Sequence, residues 1–242
     1  MMGFFYDFDH EILSFYHTLA EKGGRFLTPL MKFITLIGEK GLLLLLVAVV
    51  LMCFAKTRKI GVCLFGAVCC GALITNVILK DLIARPRPFE MMGSDFRDWW
   101  LFIGAPSETD YSFPSGHATA AAAGMAALAL VWDKRSLLGG VPYVILMCAS
   151  RNYLMHHYPT DVLAGCGVGL FSAIVAFGIT VLIFGLLEKN KEKKLARLLL
   201  YDIDAAKLFA KIFGKKKRQA APVGNASAGV TGISGGRPDD DE

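Results

Sequence analysis

Charge is scarce in this sequence: Asp, Glu, Lys and Arg make up 19% of its 242 residues, against 54% for the hydrophobic types. That balance excludes an ordinary water-soluble domain. No CxxC spacing occurs, and Cys53, Cys63, Cys69, Cys70, Cys148 and Cys166 all fall in apolar stretches with no histidine partner. They read as small core hydrophobes, which argues against a disulfide framework or a zinc site. Histidine is also rare, with five in the chain and no His-rich metal set, so no metal and no other cofactor is expected. Nor does a basic region lead into an apolar core at the start, because Asp7, Asp9 and Glu11 come first. The N-terminus is therefore not expected to be a cleavable signal.

Apolar runs are what the chain has instead, at 41–55, 60–79, 118–132, 137–149 and 162–187. The longest reach the roughly 20 residues that a membrane-crossing helix needs. The expected fold is all-α, a multi-pass transmembrane helix bundle of five spans with amphipathic N-terminal and C-terminal helices. Residues 1–40 form an amphipathic N-terminal region, in which Gly23-Gly24 is expected to break the helix. That region either lies in the interface or adds a sixth crossing. Residues 41–187 form the transmembrane domain, and 188–217 a basic amphipathic helix on the inner leaflet, with Ala196 to Phe213 at helical spacing. Residues 218–242 have the composition of a disordered tail.

The basic residues give the orientation. Lys56, Arg58 and Lys59, then Lys134 and Arg135, then Lys189, Lys191, Lys193, Lys194 and Arg197 share one side if each span crosses once. By the positive-inside rule that side, with the C-terminal tail, is cytoplasmic. The loop at 80–116 and the polar stretch 150–161 then share the extracytoplasmic face, where Trp99, Trp100 and Phe102 fit an interfacial aromatic belt. The net charge of +5 comes largely from the tail and suits an anionic membrane better than nucleic acid, so membrane lipids are the expected neighbours.

Three polar clusters fall on that face: Lys80 to Pro88, Pro114 to His117, and Ser150 to Asp161. His157 and Asp161 are four apart with Pro159 between them, suited to the first turn of a helix. A carboxylate beneath the imidazole would fix its tautomer and leave the other ring nitrogen free to attack. Lys80, Arg87 and Arg151 supply positive charge, and the two guanidinium forks can each grip two oxygens. Ser115 suits a helix cap, with the amides of Gly116 and His117 aimed at an anion from the positive end of that helix. His156 rivals His157 but has no acid one turn on, and Arg85 is left outside the site. Small residues repeat every four at Gly116, Ala120 and Gly124, and at Asp161, Gly165 and Gly169. Two helices are expected to approach closely on those stripes.

Together the clusters resemble the type 2 phosphatidic acid phosphatase (PAP2) superfamily, whose signatures are K-x6-R-P, P-S-G-H and S-R-x5-H-x3-D. Lys80, Arg87 and Pro88, then Pro114 to His117, then Ser150, Arg151, His157 and Asp161 occupy every position, in order, over about a third of the chain. The resemblance implies a metal-independent membrane phosphatase acting on a lipid phosphate or diphosphate, with His157 as nucleophile, Asp161 as its orienting acid and His117 as general acid. Lys80, Arg87, Ser115, Gly116 and Arg151 would hold the phosphate. Bacterial members of the family make undecaprenyl diphosphate the first substrate expected. A phosphotransferase using the same histidines, and a lipid-phosphate binding or translocating protein, are the alternatives; the related haloperoxidases are soluble, unlike this chain.

Overall fold

Met2–Ile37 forms one uninterrupted helix, α1, with Pro29 inside it. The structure, a computed structural model, describes residues 2–217, so the tail expected to be disordered lies outside the described residues. The break expected at Gly23-Gly24 does not occur. Glycine in a helix costs about 1 kcal/mol, but here α1 packs on a second helix, with Tyr153 beside Gly24. Thr28 and Tyr153 share a 2.7 Å hydroxyl contact, and Thr35 donates to Ser150 Oγ at 3.1 Å. Leu13 and Ala20 are buried with Phe96, Tyr153 and Leu154 on the same side.

A short 3₁₀ turn, Glu39–Gly41, ends at Gly41 with φ +70°, and α2 (Leu42–Met52) follows. Helix α3 (Arg58–Ala72) runs through a π-helical stretch, Leu73–Leu79, into α4 (Lys80–Ile83). The loop beyond carries α5 (Phe96–Phe102), whose Phe96 is fully buried and whose Trp99 stacks on His17 of α1. The remaining large helices are α6 (Gly116–Val131), α7 (Leu137–Tyr153) and α8 (Pro159–Lys189). No strand occurs among the described residues.

Three segments, Phe5–Met52, Arg58–Glu90 and Pro159–Lys189, are long and apolar enough to cross a membrane, and α6 is a shorter apolar helix. Large apolar side chains point outward, among them Phe26, Leu82, Leu138 and Ile174. Water would penalise such a surface, whereas lipid tails accept it. This is a helical membrane protein.

The glycine stripe of α8 meets α6 almost backbone to backbone. A Cβ on Gly165 would lie 2.6 Å from the Ser115 carbonyl, and one on Gly169 would lie 2.6 Å from that of Thr119. The stripe of α6 faces elsewhere: Gly124 abuts Leu44 of α2, and Ala120 abuts Gly41. The two stripes therefore do not face each other, and each lets a different neighbour come close.

After α8, the helix expected from Ala196 to Phe213 is interrupted. Helix α9 (Lys194–Arg197) and a π-helical turn, Leu198–Asp202, come first. Ala205 then donates to the Cys53 carbonyl at 2.9 Å, and Arg58 donates to the carbonyls of Leu199 and Ile203. These bonds hold the chain to the α2–α3 turn and break the helical run. A separate unit begins at Ala206 and carries most of α10 (Ala205–Lys217).

Candidate active site

Each polar cluster is delivered by a helix end. Lys80 stands where the π-helical stretch gives way to α4, whose last residue is followed by Ala84 in the left-handed region. Ser115 caps α6, its Oγ accepting from the Ala118 amide at 3.5 Å. Pro159 opens α8, and Asp161 reaches back to accept the Tyr158 amide at 2.9 Å, satisfying a donor that the helix start would leave bare. Arg151 ends α7.

These ends surround one cavity of about 430 Å³, lined by Lys80, Arg87, Gly116, His117, Arg151 and His157, with Glu39, Asn76, Glu108 and Asp110 among the others. Six of the eight residues expected to form the site therefore meet there. Ser115 and Asp161 sit behind the wall, both fully buried. His156 does not line the cavity; its Nε2 lies 3.1 Å from the Pro106 carbonyl.

His157 Nδ1 lies 2.7 Å from the Ser112 carbonyl. A carbonyl only accepts, so Nδ1 carries the proton and Nε2 keeps its lone pair. Asp161 Oδ2 is 3.8 Å from the same nitrogen, beyond hydrogen-bond range, and instead accepts from Ser112 Oγ at 2.5 Å. Asp161 and His157 are thus joined through the side chain and the carbonyl of Ser112. Burial pushes the His157 pKa well below the ordinary imidazole value, and Arg151, Arg87, His156 and Lys80 push it further. His156 is lowered to about 2, by burial first and then by Arg151. At neutral pH the candidate nucleophile is therefore uncharged.

Behind Asp161 lies a network that spacing did not reveal. Arg85 donates to Asp161 Oδ1 at 2.5 Å, to Thr160 Oγ1 at 2.8 Å and to Asp9 Oδ2 at 2.8 Å. Asp9, also fully buried, accepts from the Thr160 amide and hydroxyl. One guanidinium so compensates two carboxylates that would be costly to bury alone. Asp9 carries a signal in the sequence: it shares a helical face with Leu13, where an acid is out of place unless paired.

The cations of the cavity are held by the loop before α6. Lys80 pairs with Asp110, Arg87 with the Asp110 side chain and carbonyl, and Arg151 with Glu108. Nε and Nη1 of Arg151 and Nε2 of His117 are buried with no hydrogen-bond partner among the described residues. Glu39 Oε2 approaches that His117 nitrogen to 3.6 Å. Burial alone would raise the Asp110 pKa, but the bonds and charges of Lys80 and Arg87 bring it to about 2. A carboxyl depressed in this way is ionised at every pH above its ordinary value, and its pairing fails only as pH falls from there through about 2. An anion that takes Lys80 and Arg87 as partners would therefore displace Asp110 by exchange. Asp110→Asn is expected to tighten inhibition by inorganic phosphate roughly three- to tenfold. Weaker or unchanged inhibition in steady-state assays would contradict this competition.

The site and fold define a class, a membrane-embedded enzyme built to grip phosphate. The PAP2 superfamily model matches residues 60–184, more than half of the chain, and the chain belongs to that superfamily as one of its phosphatases. It is 31% identical over 153 residues to an undecaprenyl-diphosphatase of Sulfolobus acidocaldarius, covering 63% of this chain and 70% of that one. It is 30% identical over 172 residues to undecaprenyl-diphosphatase BcrC of Bacillus subtilis, covering 70% of this chain and 82% of BcrC. A lipid A 1-phosphatase of Rhizobium johnstonii is 35% identical over 136 residues, and there the match spans about half of each chain, 54% and 51%. Among solved structures, the transmembrane PAP2-type phosphatidylglycerolphosphate phosphatase of Bacillus subtilis shares the fold, with TM-score 0.51 and 24% identity over 73% of this chain and 92% of that one.

Proposed function

We propose that the protein hydrolyses the terminal phosphate of a lipid diphosphate or lipid monophosphate, with a polyprenyl diphosphate as first substrate, through a phosphohistidine. The observation that carries this is the cavity itself, where the unprotonated Nε2 of a neutral His157 meets three cations and the unpaired nitrogens of Arg151 and His117. Such an arrangement suits in-line transfer, in which the protein mainly positions the groups and neutralises charge. His157 Nε2 forms the bond to phosphorus while the bond from phosphorus to the leaving oxygen breaks. His117 gives that oxygen a proton, then takes one from the water that hydrolyses the phosphohistidine. Two relatives named undecaprenyl-diphosphatase support the choice of substrate.

If α2, α3, α6, α7 and α8 each cross once, the positive-inside rule puts the basic turns on the cytoplasmic side and this cavity on the extracytoplasmic one. Helix α1 would then lie along the outer interface. Near its two ends Asp9 bonds Thr160, and Glu39, in the turn just beyond it, approaches His117, so both meet residues of the same face. The cations that would otherwise be supplied by a metal are Lys80, Arg87 and Arg151, and the reaction is expected to need none.

The test is phosphate release by purified protein in detergent, with chelator present, from polyprenyl diphosphate, phosphatidic acid and phosphatidylglycerophosphate. Release that persists in chelator, and is greatest with the diphosphate, is expected. Activity that disappears with chelator and returns with a divalent ion would overturn the metal-free mechanism, and no release from any lipid phosphate would overturn the function.

A further inference from the structure

The wall of the cavity formed by α3, the π-helical stretch and α4 changes character along its length. Ala72, Asn76 and Lys80 are four apart, and all three line the cavity. Counting back along the helix from Lys80, Asn76 is one step away and Ala72 two. Ala120 of α6 lines the cavity as well. A substrate held by its terminal phosphate at Lys80 would run past Asn76 before its lipid chain reached the alanines.

Asn76 is out of place by the rules that govern its neighbours. It lies in the run Leu-Ile-Thr-Asn-Val-Ile-Leu, wound as a π-helix, a form concentrated at functional sites. Thr75, next to it, is fully buried and shares a 3.0 Å hydroxyl contact with Thr119 of α6. Asn76 is exposed to the cavity, and its side-chain amide has no hydrogen-bond partner among the described residues. An amide at membrane depth costs several kcal/mol unless it is wetted or used. Its position is also specific. A Cβ on Gly116 would lie 3.2 Å from Asn76 Oδ1, so the absence of a side chain at Gly116 leaves room for this amide beside the first turn of α6 and next to His117. His117, the residue assigned above to the leaving oxygen, follows Gly116 in the chain, so Asn76 packs beside the helix start that carries it.

We propose that Asn76 is a specificity-determining residue whose amide donates a hydrogen bond to the phosphate joining the reacting phosphorus to the lipid. A lipid diphosphate has that second phosphate and a lipid monophosphate does not, so this contact favours the diphosphate. The proposal rests on the phosphatase reading and goes beyond it by naming what selects the substrate.

The experiment compares kcat/KM of the native enzyme, Asn76→Ala, Asn76→Ser and Asn76→Gln on farnesyl diphosphate and farnesyl monophosphate, which carry the same lipid. The alanine and serine variants are expected to lose roughly ten- to a hundredfold on the diphosphate, the range for a hydrogen bond to a charged group. Activity on the monophosphate should stay within about twofold, which also reports that the variants are folded. Gln keeps the donor and should recover part of the loss. Equal losses on both substrates, no loss on either, or a native enzyme that hydrolyses only the monophosphate would each overturn the role of Asn76 and leave the phosphatase reading standing. No release from either substrate by the native enzyme would overturn both.

Discussion

Replacing His157 with alanine is expected to lower turnover of lipid phosphate by about four orders of magnitude or more, the scale seen when a covalent nucleophile is removed. The expectation follows from the position of Nε2, which is left unprotonated by the bond from Nδ1 to the Ser112 carbonyl and lines the cavity with Lys80, Arg87 and Arg151. His117→Ala should cost less, roughly 10²- to 10⁴-fold, the usual contribution of a general acid. The sign of the pH dependence follows from the same surroundings. Because burial and the neighbouring cations lower the His157 pKa, its protonation is displaced to lower pH. The acid limb of kcat/KM should therefore fall below the ordinary imidazole range, and a limb centred near pH 6.5 and removed by His157 substitution would contradict this. Stability also falls toward acid pH. Above the ordinary imidazole value the folded and unfolded chains bind equal numbers of protons at this group. Below it the unfolded chain takes up protons that His156 and His157 refuse, so the folded state loses ground as pH falls.

Arg85→Ala carries the second large effect, and it falls on stability as well as rate. Its guanidinium joins Asp161 and Asp9, both fully buried, and lies 3.7 Å from the centre of the Tyr158 ring. Removing it strands two carboxylates away from water, which costs about 3–5 kcal/mol when one partner of a buried pair is deleted. Asp161 also holds Ser112, and Ser112 holds His157, so kcat should fall even in the fraction that remains folded. Asp9→Asn should cost less, because the amide can still accept from Thr160 and its loss of charge leaves Arg85 with Asp161. Thermal unfolding in detergent and kcat measured together check this. An Arg85→Ala enzyme with native stability and native kcat would show that the network is incidental.

How far the sequence reached depends on which interactions spacing can encode. The helix-terminal residues Lys80, Gly116, His117, Arg151 and His157 were readable because polar groups bounding apolar runs stand out, and the fold does bring them to one cavity. Asp161 was readable only as a carboxylate one turn from His157. That it bonds Ser112 rather than the imidazole depends on a loop whose path no periodicity fixes. Arg85 and Asp9 escaped for a similar reason, since their partnership joins residues 76 positions apart and is visible only once α1 lies against the site. The continuity of α1 was missed because glycine pairs and proline break helices in water. Packing on α7, with Thr28 bonded to Tyr153 and Thr35 to Ser150, holds it straight here. The π-helical winding that presents Asn76 leaves no mark on composition at all.

The most direct measurement is to incubate His117→Ala with a polyprenyl diphosphate labelled on its terminal phosphate, quench in alkali, where phosphohistidine survives, and locate the label by mass spectrometry. The account predicts label on His157, and none in the protein lacking both histidines. Label on another residue, or phosphate released at the native rate from the protein without His157, would contradict it.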